Sequence, residues 1–259
     1  MAEAVVRSDP IHVHYYAALH KAERCGNWTF NAAAMLSIAV LFIDGRTHPA
    51  AHQALNTAFA VSVFAVFLIG LVSRFYWMAR AEHARLQELL GSAFDTLLTH
   101  MQTEGYYNND ERDPVRRIAA MTMENAFFSK SIALRMSHGE RVRVGVYVLI
   151  YFVAVTSRTT EIGLVVALSQ IVFSEQILVR WIKLEWLRSK CEETYECLSK
   201  LFLSSAKSPA FRGQAFAVFT TYEAQKSNAA VTLSNAVFKE MNPALSAEWN
   251  QIRTRIIAT

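Results

Sequence analysis

The sequence predicts an all-α membrane protein: four transmembrane helices in two hairpins, each followed by a long cytoplasmic helix, with a helical C-terminal tail. Three observations predict it. The chain of 259 residues holds 26 Lys and Arg and 22 Asp and Glu, yet only Asp44, Arg46, Arg74, Arg158, Glu161 and Glu175 fall within Thr29–Met78 and Val144–Val179. Charged residues make up 19% of the chain, below the roughly 25% of an ordinary soluble domain, and the deficit lies in those two blocks. With 9 Gly and 5 Pro, the chain is poor in the residues that turn-rich β architectures and disordered segments need. A mean hydropathy of +0.17 hides this division.

The elements follow in order. Residues 1–27 form an N-terminal segment in which His12–Cys25 reads as an amphipathic approach helix at the membrane interface. Residues 28–78 form the first hairpin: Trp28–Ile43, a polar break at Asp44–Gln53, then an apolar run from Ala54 to Tyr76. A spanning helix needs about 20 apolar residues, which the second run supplies and the first reaches with its flanks. Residues 79–143 are cytoplasmic. There Leu86, Leu89, Leu90, Ala93, Phe94 and Leu97 recur at helical spacing in Trp77–His100; a polar loop, Gly105–Pro114, precedes a helix over Val115–Met136.

Residues 144–181 form the second hairpin, Val144–Thr156 and Ile162–Val179 around the break Ser157–Glu161. Residues 182–259 complete the cytoplasmic tail. Leu187, Cys191, Thr194, Tyr195, Leu198 and Leu201 form the stripe of Trp181–Ser204, so the two halves of the chain repeat one plan. Ser208–Pro209 stops that helix. A further helix spans Ala210–Met241, and Asn242–Pro243 separates it from Leu245–Ile257.

Basic residues set the orientation. The two breaks carry one Arg each, Arg46 and Arg158, whereas Arg24, Arg74, Arg80, Arg85, Arg135, Arg141, Arg143, Arg180, Lys183 and Arg188 crowd the opposite ends. Both termini and the central region are thus expected in the cytoplasm of a multi-pass inner-membrane protein. Tyr15, Tyr16, Trp28, Tyr76, Trp77, Trp181 and Trp186 sit at the same ends, where amphipathic rings favour the interface. Cys25, Cys191 and Cys197 fall on the reducing side and are expected as free thiols.

No phosphate-binding glycine loop, HExxH or GxSxG motif occurs, so no enzyme is predicted, and neither a cofactor nor DNA binding is expected. His12 and His14 alternate across a helix and do not form a metal pair. Polar residues inside the fourth span carry more information, because an ionisable group at membrane depth costs about 2.5–3.5 kcal/mol and marks function by default. Ser169, Gln170, Ser174 and Glu175 are the candidates for lining a water-filled path; pairing of Glu175 with Arg74 inside the helix bundle is the alternative. Arg112, Arg116, Arg117 and Lys130 are candidates for holding an anionic ligand such as a nucleotide, although the same charges serve topology and headgroup attraction.

The segment YYAALHKAERCGNW (Tyr15–Trp28), with Tyr and basic residues before the first span, and Asn125, Phe127, Phe128 and Lys130 before the third, resemble a known architecture. It is that of the four-transmembrane, pore-forming effectors encoded beside nucleotide-cyclase signalling genes in bacterial anti-phage systems. Phenylalanines stand here for that family's tryptophans, and Ser129 for its acidic residue. The resemblance implies a homo-oligomer in the lipid bilayer of the inner membrane, triggered through its cytoplasmic helices by a cyclic nucleotide or a protein. A small constitutive channel or transporter, and a non-conducting scaffold docking a partner through its C-terminal tail, are the alternatives.

Overall fold

The computed structural model describes residues 9–101, 103, 109, 111–157, 160–205 and 208–257. Arg158 and half of the predicted loop Gly105–Pro114 lie outside the described residues. Every regular element among the described residues is a helix, with no strand. The helices are α1 (Ala17–Leu41), α2 (Pro49–Leu71), α3 (Ala79–Phe94), α4 (Pro114–Thr156), α5 (Ile162–Val172), α6 (Arg180–Ser205), α7 (Pro209–Ala229) and α8 (Asn235–Ile256). Wider π-helical turns at His12–Tyr16, Val72–Met78 and Glu175–Val179 precede α1, α3 and α6. Two helical stretches, Pro49–Phe94 and Ile162–Ser204, are long and apolar enough to cross a membrane.

The chain divides into two compact units: 1–14 with 80–138 and 183–259, and 15–79 with 139–182.

The first unit has an ordinary buried core. Phe127 of α4 stands at its centre, with ring centroids 5.7 Å from Tyr195 of α6 and 5.9 Å from Trp249 of α8. Phe202 and Phe211 meet at 5.2 Å where α6 gives way to α7. Leu89 and Ala93 of α3 join through Ile118, Met121 and Phe219. Asp113 starts α4: its Oδ1 accepts the amides of Val115 and Arg116, both at 3.0 Å, and Pro114 at the first helical position has no amide to satisfy.

The second unit leaves many of its large apolar side chains exposed. None of the most apolar 18-residue window of Pro49–Phe94 is buried, and Trp28, Met35, Phe64, Phe67, Phe75, Leu149 and Phe152 are all exposed. Within it, α1 packs against α2 and touches α5. Glycines permit these approaches: a Cβ on Gly26 would stand 3.3 Å from Ile69, and one on Gly163 3.1 Å from Leu41.

Several boundaries differ from those the sequence suggests. The predicted helix Val115–Met136 and span Val144–Thr156 are one helix of 43 residues, because a lone Gly139 costs only about 1 kcal/mol in a helix interior. The expected helix Ala210–Met241 instead ends at Ala229, where Ala230 turns left-handed at φ 47°. Ser234 then starts α8 by accepting from the Val237 amide at 3.4 Å. Pro243, expected to separate two helices, lies inside α8; burial of Leu245 and Trp249 outweighs the lost backbone bond.

Candidate functional site: a broken apolar segment at Glu175

The fourth apolar segment is not the continuous helix its composition suggests. α5 stops at Val172, and Ser174 is extended at φ −68° and ψ 161°. The Ser174 amide bonds to the Ile171 carbonyl at 3.3 Å rather than to Gln170, and the Ile177 amide turns to Ser174 at 3.4 Å rather than to Phe173. The carbonyls of Gln170 and Phe173 are therefore passed over by the amides a regular helix would bring them. The chain resumes as the π-helical turn Glu175–Val179 and then α6.

The polar candidates surround this break. Gln170 and Glu175 are exposed, whereas Ala167, Leu168, Ile171, Val172 and Ile177 are buried. Ser169 donates its hydroxyl to the Val166 carbonyl and Ser174 to the Ile171 carbonyl, each at 2.7 Å. Both serines thus give their protons to carbonyls of α5. Phe173 anchors the break against α4, edge-on to Tyr151 at 5.6 Å. Beyond the turn, Arg180 lies 3.5 Å and Arg143 3.8 Å from the Glu140 carboxylate. This triad joins α4 to α6 within the second unit, and its long-range half left no trace in the sequence pattern. The break left one: Ser followed by Glu and Gln is a helix-start signature, standing here in the middle of an apolar run.

The basic candidates do not converge on an open site. Arg116 grips Glu111 with Nε at 2.9 Å and Nη2 at 3.2 Å, donates to the Ile257 carbonyl, and lies over the Phe202 and Phe211 rings. Arg117 donates to the carbonyls of Glu111 and Ser92 at 2.7 and 3.0 Å and to Asp95 at 2.7 Å. Lys130 sits 4.1 Å above the Tyr195 ring. Arg112 is exposed. The first three fasten α4 to its neighbours in the first unit. His12 meets Asn235 at 3.1 Å, and Asp9, just before it, pairs with Arg85 at 2.7 Å.

The first unit holds buried ionisable groups. Burial pushes the Glu88 carboxyl above its ordinary range, with the Thr103 hydroxyl and Arg85 opposing; one Glu88 oxygen accepts from Thr103 and the other has no hydrogen-bond partner. Burial likewise raises Glu82, against Ser227 and Lys226. Asp113 is held below the usual range by the Arg116 amide, with Arg212 adding to it. The Cys191 thiol is pushed up to about 12 by burial, too high to yield a thiolate nucleophile at neutral pH. Compared with known proteins, the chain matches no family model, no curated protein and no solved structure.

Proposed function

We propose that the protein is an oligomeric effector of the bacterial inner membrane that opens an aqueous path, with four transmembrane segments embedding the second unit and both termini in the cytoplasm. The break at Phe173–Ser174 is the observation that carries the reading. In hydrocarbon an unsatisfied backbone group costs several kcal/mol, so non-helical backbone at membrane depth survives only inside protein or against water. Gln170 and Glu175, exposed on the single chain beside that break, need the same shelter. One chain with two hairpins is too small to enclose a channel, and a face repeated around several copies supplies both shelter and path.

The resemblance described above supports a role in anti-phage defence, with the trigger, a cyclic nucleotide or a protein, acting on the first unit. Arg116 and Arg117 already hold Glu111 and Asp95, which turns attention to other surfaces of that unit for the trigger. The C-terminal tail contributes Phe211, Phe219 and Trp249 to the core, so α7 and α8 serve the body itself and make a poor detachable arm for the scaffold alternative. The test is ion efflux from liposomes carrying the purified protein, with and without candidate cyclic nucleotides. Efflux above that of protein-free vesicles is expected. Tight vesicles under every condition, with the protein shown by flotation to be inserted, would remove the proposal.

A further inference from the structure

Resting on the membrane reading above, we infer that the cytoplasmic end of the first hairpin binds an anionic phospholipid headgroup, held by Lys21, Arg24 and Arg74.

One face of α1 carries most of the site. Lys21, Arg24, Trp28, Ala32 and Met35 are exposed and recur at intervals of three and four residues, so they line one side of the helix. Along that side the chemistry changes in order, from two cations to a Trp that is 72% exposed and then to apolar side chains. A lipid offers the same order: phosphate, then the interface an indole prefers, then acyl chain. Glu23, the one acid in α1, lies 3.7 Å from His20.

Arg74 comes from the other arm of the hairpin. α1 packs against α2 and against the turn Val72–Met78, and Gly26 lets it come close to Ile69. Lys21 stands five residues before Gly26 and Arg74 five after Ile69, so antiparallel packing sets the two at about one level. Arg74 is exposed beside the exposed Phe75 and Tyr76 rings, and it is the single charged residue from Ala54 to Met78.

The second hairpin follows the same plan but keeps its cations occupied: Arg143 and Arg180 lie 3.8 and 3.5 Å from the Glu140 carboxylate. Among the described residues, Lys21, Arg24 and Arg74 are in no ion pair. The ligand is a phosphodiester of net negative charge, phosphatidylglycerol being the simplest. A guanidinium takes two phosphate oxygens side by side, and an ammonium adds a point charge. A zwitterionic headgroup brings its own cation against them and binds more weakly.

Melting temperatures of the full-length protein in a neutral detergent test this, with phosphatidylglycerol, phosphatidylcholine or inorganic phosphate added. A ligand of the folded state raises the melting temperature. Phosphatidylglycerol is expected to raise it by several degrees at a concentration where the other two leave it unchanged. Lys21→Gln, Arg24→Gln and Arg74→Gln combined should melt near wild type without lipid and lose most of the rise; Arg24→Gln alone should at least halve it. Arg46→Gln, Lys200→Gln and Lys239→Gln combined remove as much charge and should keep the rise. No rise with phosphatidylglycerol, an equal rise with phosphatidylcholine, a rise with phosphate alone, or equal losses in the two triple variants overturns the site. The shift is read without conduction, so this site and the pore reading fail separately.

Discussion

Asp95 adopts a left-handed backbone, φ 52°, and its carboxylate accepts from Arg117 at 2.7 Å, 22 residues further along the chain. The same turn brings the Thr96 amide to the Gly91 carbonyl at 2.9 Å and ends α3, which the periodicity of Trp77–His100 would have continued. A Cβ on Gly91 would come within 2.7 Å of the Thr96 carbonyl. Gly91→Ala is expected to lower thermal stability by about 1–3 kcal/mol, since backbone must move to admit the methyl. Asp95→Gly should be milder than Asp95→Ala, because only the first relieves the left-handed strain of roughly 1 kcal/mol. Thermal unfolding in detergent ranks the three, and equal Asp95→Gly and Asp95→Ala losses would discount the strain.

Arg116 holds Glu111 through two nitrogens while lying over two aromatic rings. A lysine keeps the charge but not the fork or the flat stacking surface. Arg116→Lys should therefore cost about 1–2 kcal/mol, and Arg116→Met should cost more by leaving Glu111 half-buried without its cation. Denaturant midpoints of the two variants give the order.

Trp249 is 2% exposed, and its indole nitrogen has no hydrogen-bond partner. Removing the ring opens a large cavity beside Phe127, so Trp249→Ala is expected to cost about 3–5 kcal/mol. Trp249→Phe keeps much of the volume and deletes an unsatisfied donor, and should cost less than half as much. Comparable losses from both would mean that the indole nitrogen is satisfied after all.

Stability should respond to pH with opposite signs at two carboxylates. Burial raises Glu88, so its contribution is complete below the ordinary value of 4.5 and fades as pH climbs through the higher folded value. Glu88→Gln should remove that fading and stabilise the protein near neutrality by about 1–3 kcal/mol, because its amide keeps an acceptor for Thr103 and ends an unpaired buried charge. Asp113 is lowered, so its contribution is complete above 3.8 and is lost as pH falls through the lower folded value. Asp113→Asn keeps a cap oxygen for α4 and should flatten that acid limb. Melting temperatures followed from acid to neutral pH separate the two.

Local chemistry was legible where short-range rules decide. Asp113–Pro114 and Ser208–Pro209 announce the starts of α4 and α7, and the clearing of charge from two blocks announces the exposed apolar unit. Long-range packing overrode local rules elsewhere. The stretch from Met136 to Val144 and the residue Pro243 read as interruptions, but the helices through them cohere, Pro243 beside side chains buried in a shared core. Ala230 carries no turn signal and still turns left-handed. At the candidate site, the polarity of Ser169, Gln170, Ser174 and Glu175 could be read directly, whereas the interruption at Ser174 depends on which amide reaches which carbonyl. The partners of Arg117 and Lys130, Asp95 and Tyr195, lie far away in sequence, and no periodicity points to them.

The three thiols differ in a way that is useful at the bench. Cys191 is buried and held in its protonated form, while Cys25 and Cys197 are exposed. Cys25 belongs to the apolar unit and Cys197 to the unit with the buried core. Mild maleimide treatment of the unaltered chain should place one spin or fluorescent tag on each unit. The native sequence thereby carries its own pair of spectroscopic reporters, with which each unit can be followed without introducing a single substitution.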